Sequence, residues 1–91
     1  MLFVILMNVR SGTRNERVAR RVAWQYPEGA RVVGEYWLQA DAPNVISVVE
    51  ADSLAPIMAA LSAWDDVFTP IVIPAISAEE GLQFAKQMMP A

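Results

Sequence analysis

The sequence predicts one α+β domain in which helices cover one face of a four-stranded antiparallel sheet. Three observations predict it: strand-like and helix-like segments alternate as βαββαβ before a last helix, two capping sequences mark helix starts, and two prolines sit in the fourth strand-like segment. A chain of 91 residues has room for one hydrophobic core. We therefore expect a single domain over residues 1–91.

The first strand and the first helix are predicted within residues 2–29. Residues 2–7 are continuously apolar, which is typical of a short buried strand. Thr13 and Glu16 have the spacing of a capping box at a helix start, and residues 27–29 (PEG) are expected to end the helix. The residues predicted to face the core are Val18, Ala19, Val22, Ala23 and Tyr26.

A hairpin and a second helix are predicted next. Residues 31–39 and 44–51 are strand-like, and residues 40–43 (ADAP) form the loop that pairs Gln39 with Asn44. Ser53 is expected to cap the second helix, with Pro56 in the first turn, where its missing N–H is tolerated. The apolar stripe of this helix is Leu54, Ile57, Met58 and Leu61.

The last strand, residues 67–76, identifies the topology. Pro70 and Pro74 are separated by an even number of residues, so both missing N–H groups lie on one side, which only an edge strand tolerates. The fourth strand is an edge in the ferredoxin-like order 4-1-3-2. The sequence therefore predicts a ferredoxin-like βαββαβ sandwich plus a C-terminal helix, which Ser77 and Glu80 begin as a second capping box and whose inward residues are Leu82, Ala85, Met88 and Met89.

Composition excludes several classes of protein. Apolar residues make up 55% of the chain and charged residues 19%, which excludes a disordered tail. The sequence has no Cys and no His, so we expect neither a thiolate metal site nor a haem, and no cofactor or metal is predicted. The longest apolar run, residues 1–7, is too short to span a membrane and has no basic segment before it. We expect a cytoplasmic protein with no membrane partner.

Basic residues concentrate on the first helix. Arg14, Arg17 and Arg21 have the spacing of one helix face, and we interpret that face as solvated. A nucleic-acid surface usually requires a basic domain, whereas this chain has a net charge of −3. No nucleic-acid partner is therefore expected.

The pattern of apolar residues predicts a homodimer. In the first and fourth strands, the residues that face either side of the sheet are apolar, although the helices cover only one side. Monomers rarely expose apolar patches beyond a few hundred Å². We expect a second copy to cover the open face, so that the two sheets close into a dimeric α+β barrel.

Two carboxylates are the candidate catalytic residues. An unpaired buried carboxylate is costly, so Glu35 is predicted to face away from the helices, together with Trp37 and Gln39. The hairpin register then places Glu50 diagonally beside Glu35, and Asn8 can join them. Two close carboxylates raise each other's pKa, which suits a general base. The alternative is that both pair with arginines across the dimer or lie at the solvated mouth of the barrel.

Aromatic residues provide candidate ligand contacts. Trp37 and Trp64 are interpreted either as walls of a ligand-binding pocket or as ordinary packing residues. With Asn8, they are the predicted ligand-binding residues. A cavity of roughly 300 Å³ or more would favour ligand binding.

Five short motifs resemble a family of small bacterial proteins that is known only as a domain of unknown function. They are residues 1–4 (MLFV), 27–29 (PEG), 33–37 (VGEYW), 49–52 (VEAD) and 64–66 (WDD). The resemblance implies membership of the dimeric α+β barrel superfamily, which includes cofactor-independent monooxygenases, muconolactone-type isomerases, haem-dependent peroxidases and ligand sensors. It implies the fold and the dimer, and no catalytic motif is carried over.

Three functions follow as hypotheses. The first is a homodimer that binds a small, partly apolar molecule in the cleft between sheet and helices. The second is a cofactor-independent monooxygenase or isomerase acting on an aromatic or enol substrate. The third is a structural or accessory dimer without a ligand. The sequence leaves open whether the protein is an enzyme.

Overall fold

The computed structural model describes residues 1–89 and has the predicted α+β architecture. The strands are β1 (Leu2–Val9), β2 (Ala30–Trp37), β3 (Val45–Ala51) and β4 (Phe68–Ala75), and the helices are α1 (Arg14–Ala23), α2 (Ala55–Ser62) and α3 (Ala78–Met88). The strands form one antiparallel sheet in the order β2-β3-β1-β4. The predicted ferredoxin-like order is confirmed, and β4, with its two prolines, is an edge strand.

The core lies between the sheet and the helices. Alternate residues of β1 (Phe3, Ile5 and Met7) are buried, as the two-residue period of a strand requires. From the helix side, Ile57 of α2 is fully buried. The other buried members of the cluster are Val49, Ala51, Trp64, Val67 and Phe68.

The helix ends follow the predicted caps in part. The capping box of Thr13 and Glu16 is confirmed: each side chain accepts a hydrogen bond from the other residue's backbone N–H. Ser77 accepts a hydrogen bond from the Glu80 N–H at the start of α3. The Ser53 cap is wrong, because α2 begins after Leu54 without a side-chain cap. Pro56, in its first turn, removes one N–H that a cap would bind.

The register of the hairpin differs from the prediction. Leu38, not Gln39, lies opposite Asn44, and a bulge between Val32 and Gly34 shifts the pairing again. Glu35 is therefore opposite Ser47, a buried residue on the helix side of the sheet. A shift of one residue exchanges the two faces of a strand. The prediction that Glu35 and Trp37 face away from the helices is wrong.

The buried side of helix α1 agrees with the prediction only in part: Val18 and Tyr26 are partly buried, as expected, whereas Ala19 and Ala23 are exposed. Val22, expected in the core, is 81% exposed, whereas Arg17 is 9% exposed. Arg21 is partly buried as well. The interpretation of the arginine face as solvated holds for Arg14, which is exposed, and is wrong for Arg17 and Arg21, whose guanidinium groups find carbonyl, carboxylate and aromatic partners.

Two apolar surfaces stay uncovered in the single chain. On the open face of the sheet, Ile71 and Ile73 of β4 are exposed and pair with Leu6 and Val4 of β1. Helix α3 has no buried residue. Within residues 1–89, the predicted inward residues of α3 are exposed: Leu82, Ala85, Met88 and Met89.

Candidate ligand-binding cleft

A cleft of about 100 Å³ lies between the helix side of the sheet and helices α1 and α2. It opens to solvent on one side, and it is smaller than the roughly 300 Å³ expected for a ligand site. Its lining is mainly aromatic and aliphatic, with a few polar groups. The polar and charged lining residues are Arg14, Arg17, Arg21, Tyr26, Glu35, Asn44 and Ser47.

Glu35 is at the centre of a hydrogen-bond network in the cleft. Its carboxylate accepts from Arg21 Nε at 3.0 Å, from the Tyr26 hydroxyl at 2.6 Å and from Trp37 Nε1 at 2.8 Å. The Tyr26 hydroxyl is also 3.3 Å from Ser47 Oγ. The network joins α1 to β2 and β3, and it removes the cost that seemed to exclude a carboxylate from this face.

The surroundings of this network set two pKa values. Burial raises the pKa of Glu35, but the hydrogen bonds from Arg21, Tyr26 and Trp37 outweigh burial and leave the pKa below its usual value. Burial, with the hydrogen bond to Glu35, raises the pKa of Tyr26 to about 12. Near neutral pH the carboxylate is charged and the phenol is neutral. The predicted upward shift for Glu35 is wrong, and its geometry suits a fixed acceptor better than a general base.

Arg17 lies at another part of the cleft without a carboxylate partner. Its Nη1 donates to the carbonyl oxygens of Ser11 at 3.2 Å and Gly12 at 2.6 Å. Gly12 has φ of 80°, a left-handed conformation that glycine adopts without strain. The guanidinium carbon lies 5.8 Å from the centroid of the Phe68 ring. Between residues 1 and 89, no ion pair involves Arg17.

Aromatic rings form a continuous wall. The centroids of Trp24 and Tyr26 are 4.8 Å apart, those of Trp24 and Trp64 are 5.7 Å apart, and those of Trp64 and Phe68 are 5.8 Å apart. Such tilted and edge-to-face contacts are favourable and hold the rings rigid. Trp37 adds a half-exposed ring at the cleft. All three tryptophans of the chain therefore line the cleft.

The structure brings together three of the five predicted site residues. Glu35, Trp37 and Trp64 line the cleft. Asn8 is absent from its lining and pairs with Thr69, on the open face of the sheet. Glu50 also lies on that face, where it accepts a hydrogen bond from Arg31 at 2.9 Å. The predicted neighbourhood of Glu35 and Glu50 is therefore wrong.

A second hollow lies beside Glu50. It has a volume of about 270 Å³ and is lined by residues 29–31 and 50–52. Although its volume is larger, it is a more open depression whose lining holds no aromatic residue. Ligand sites usually combine enclosure, apolar walls and a few convergent polar groups. The cleft has all three features, so it is the better candidate site.

The cleft contains functional candidates that sequence reasoning missed. Arg17, Arg21 and Tyr26 are the clearest, and Asn44 and Ser47 complete the polar lining. The sequence does contain an indication of these residues: the arginines between residues 14 and 21 are followed closely by Trp24 and Tyr26, and guanidinium groups stack on aromatic rings. Arg21, for example, lies 5.4 Å from the centre of the Tyr26 ring.

Among residues 1–89, no group of three or more acidic side chains is arranged to hold a metal ion. In the same part of the chain, each helix is too short or too polar to cross a bilayer.

The family whose sequence pattern matches is described as Domain of unknown function (DUF3303), and the match covers residues 1–89. The chain belongs to this family. The match spans every strand and helix of the fold, so the DUF3303 domain and the ferredoxin-like sandwich coincide. No curated protein and no solved structure matches the chain.

Proposed function

We propose that this member of the DUF3303 family is a homodimeric protein that binds a small, partly apolar molecule in the cleft between sheet and helices. The observation that carries the proposal is the cleft itself. Rigid aromatic walls surround a small set of polar groups, Glu35 and Arg17 among them, in a space that the chain's own side chains leave open. Apolar walls with a few convergent polar groups are typical of ligand sites.

Binding explains the cleft better than the other two hypotheses. A monooxygenase or isomerase needs a free base, whereas Glu35 accepts hydrogen bonds from three side chains and has a lowered pKa. The volume of about 100 Å³ does not by itself favour binding over a structural dimer, but the charged and hydrogen-bonding groups among the aromatic walls do. The small volume limits the enclosed part of a ligand to a few atoms, because a cavity of about 150 Å³ holds one benzene.

A second copy is the proposed partner, in agreement with the resemblance to the dimeric α+β barrel superfamily. Four strands of seven or eight residues, spaced about 4.8 Å apart, give the open sheet face an area of about 500 Å². A stable interface buries about 800 Å² per partner. The sheet face alone is too small, and the exposed apolar side of α3, with Leu82 and Met88, supplies additional area.

The dimer is tested by sedimentation of the wild type and two matched variants. Ile71→Glu places a charge on the open sheet face, and Val22→Glu places one on the outer side of α1. We expect a dimer for the wild type and Val22→Glu, and a folded monomer for Ile71→Glu. A wild-type monomer at micromolar concentration would contradict the proposed assembly.

Ligand binding is tested by native mass spectrometry of the protein purified from its own host, followed by ¹H–¹⁵N spectra with a set of small aromatic and aliphatic compounds. We expect a dimer with a defined adduct, and movement of the indole N–H signals of Trp24, Trp37 and Trp64 on binding. The backbone amides of residues 29–31, beside the second hollow, serve as the internal control. Indole signals that no compound moves would contradict binding in the cleft.

A further inference from the structure

A charged group without a charged partner is buried in the cleft. Arg17 is 9% exposed, and its protein hydrogen bonds are those from Nη1 to two backbone carbonyl oxygens. A guanidinium has five N–H donors, so Nε and Nη2 still have donors to offer. In residues 1–89, no hydrogen bond from these two nitrogens to another residue is formed. Neither nitrogen is fully buried, because among the described residues no buried side-chain nitrogen lacks a hydrogen-bond partner. Arg17 lines the cleft, so these donors are free to bind an anion there.

The charges of the cleft favour an anion. Its lining holds Arg14, Arg17 and Arg21 but one acidic residue, Glu35, so positive charges exceed negative charges by two. The whole chain, in contrast, has a net charge of −3. Arg21 is neutralised by Glu35, with Nε 3.0 Å from Oε2. The excess therefore lies at Arg17 and at the exposed Arg14, whose Nη1 is 3.4 Å from the amide oxygen of Gln39.

The remaining surface favours a flat, apolar group next to that anion. Five of the eight aromatic side chains of the protein line the cleft. Phe68 lies beside the guanidinium of Arg17, Trp64 packs against Phe68, and Trp37 lies half exposed at the cleft. Rings that are fixed by neighbouring rings present flat faces to a planar ligand at little entropic cost.

We propose that the cleft binds a small aromatic carboxylate, whose carboxylate pairs with Arg17 and whose ring lies among the tryptophans. A planar guanidinium fits a carboxylate with two parallel hydrogen bonds, which a neutral ligand cannot reproduce. The volume of about 100 Å³ encloses the carboxylate and part of one ring, and the rest lies in the open side. This inference rests on the proposed function and specifies its ligand class.

The test compares benzoate with benzamide, a neutral compound of almost the same shape. Both are titrated into the wild-type protein while the indole N–H signals and the Nε–H signal of Arg17 are followed by NMR. We expect benzoate to bind at least about tenfold more tightly, because its hydrogen bonds to Arg17 are charge-assisted. The Arg17 signal is expected to move with benzoate and to stay in place with benzamide.

Variants identify the arginine that is responsible. Arg17→Gln is expected to remove the preference for benzoate, whereas Arg31→Gln, outside the cleft lining and paired with Glu50, is expected to keep it. Arg17→Lys preserves the charge without the planar fork, and we expect it to keep part of the preference. If Arg17→Gln does not fold, the Arg17→Lys variant and the Nε–H signal of the wild type decide the result.

The outcomes separate this inference from the proposed function. Equal affinity for benzoate and benzamide, with indole signals that move, would overturn the carboxylate and leave the binding cleft intact. Indole signals that neither compound moves would overturn both proposals. Inorganic phosphate that displaces benzoate at equal concentration would show a general anion site and overturn the aromatic part.

Discussion

Helices α1 and α2 cover the same face of the sheet, but different interactions hold them there. Helix α2 packs through aliphatic side chains, of which Ile57 is fully buried. Helix α1 packs through guanidinium groups that reach carbonyl oxygens, the carboxylate of Glu35 and several aromatic rings. The cleft lies against both helices: Ala60 and Leu61 of α2 form part of its apolar lining, and the arginines of α1 supply its charge. The two modes of attachment therefore give the cleft two different kinds of wall.

The largest loss of stability is expected when the buried side chain that holds α2 against the sheet is removed. For Ile57→Ala we expect a loss of about 2–5 kcal/mol in the free energy of unfolding, because the buried side chain leaves a cavity in a packed core. Urea unfolding at one fixed protein concentration measures it. Met58→Ala, at an exposed neighbouring position of α2, is the control and is expected to change stability by less than about 0.5 kcal/mol. Equal losses would show that α2 is not held through Ile57.

The polar attachment of α1 is tested at Glu35. At neutral pH, Glu35→Gln removes the charge that Arg21, Tyr26 and Trp37 bind, and we expect a loss of about 1–3 kcal/mol in the free energy of unfolding. Glu50→Gln, which affects the exposed ion pair with Arg31, is the matched control and should cost less.

The stability difference between the wild type and Glu35→Gln should depend on pH in a defined direction. The folded-state pKa of Glu35 lies below its ordinary value of 4.5, so the folded protein holds the charged form more favourably than the unfolded chain does. The stabilisation is complete above pH 4.5 and is lost as the pH falls through the folded-state pKa. The difference between wild type and Glu35→Gln is therefore expected to shrink in acid, and a constant difference from pH 7 to pH 3 would refute this account of Glu35.

The smallest effect is expected at Arg20, where α1 meets the segment between α2 and β4. Arg20 pairs with Asp66 through two hydrogen bonds of 2.8 Å, but both side chains are well exposed, so Arg20→Gln should destabilise the fold less than Glu35→Gln. The hydrogen bond from Arg20 lowers the pKa of Asp66 to about 2. Titration of the Asp66 carboxyl carbon by NMR should show this pKa rise toward 3.8 in the variant. An unchanged pKa would show that the pair does not form in solution.

The sequence predicted the fold well because its signals are local. The capping box at Thr13 and the prolines of the fourth strand each identify one element independently of the others. The register of β2 was not predictable in the same way, because the hairpin loop is one residue longer than expected, with Leu38 instead of Gln39 opposite Asn44. The residues next to Glu35 in the sequence therefore did not indicate that it binds Arg21 and Tyr26.

The prediction of which α1 residues are buried failed in part for a related reason. A helix with Val22 on one side and Arg17 on the other is expected to bury the valine, since burying an unpaired charge is costly. The structure supplies Arg17 with carbonyl oxygens from the loop before α1, and supplies Arg21 with a carboxylate from β2. Glu35 is distant from Arg21 in sequence, and the carbonyl oxygen of Gly12 belongs to a residue with positive φ. Helical periodicity alone therefore could not identify the buried face of α1.

The prolines of β4 limit how the sheet can grow. A strand that adds to a sheet needs a row of free N–H groups along the exposed edge, and Pro70 and Pro74 remove two of them from the outer side of β4. Edge-to-edge aggregation and fibre growth are therefore blocked at this end of the sheet. The two prolines therefore allow a strongly apolar edge strand without open-ended strand addition at that edge.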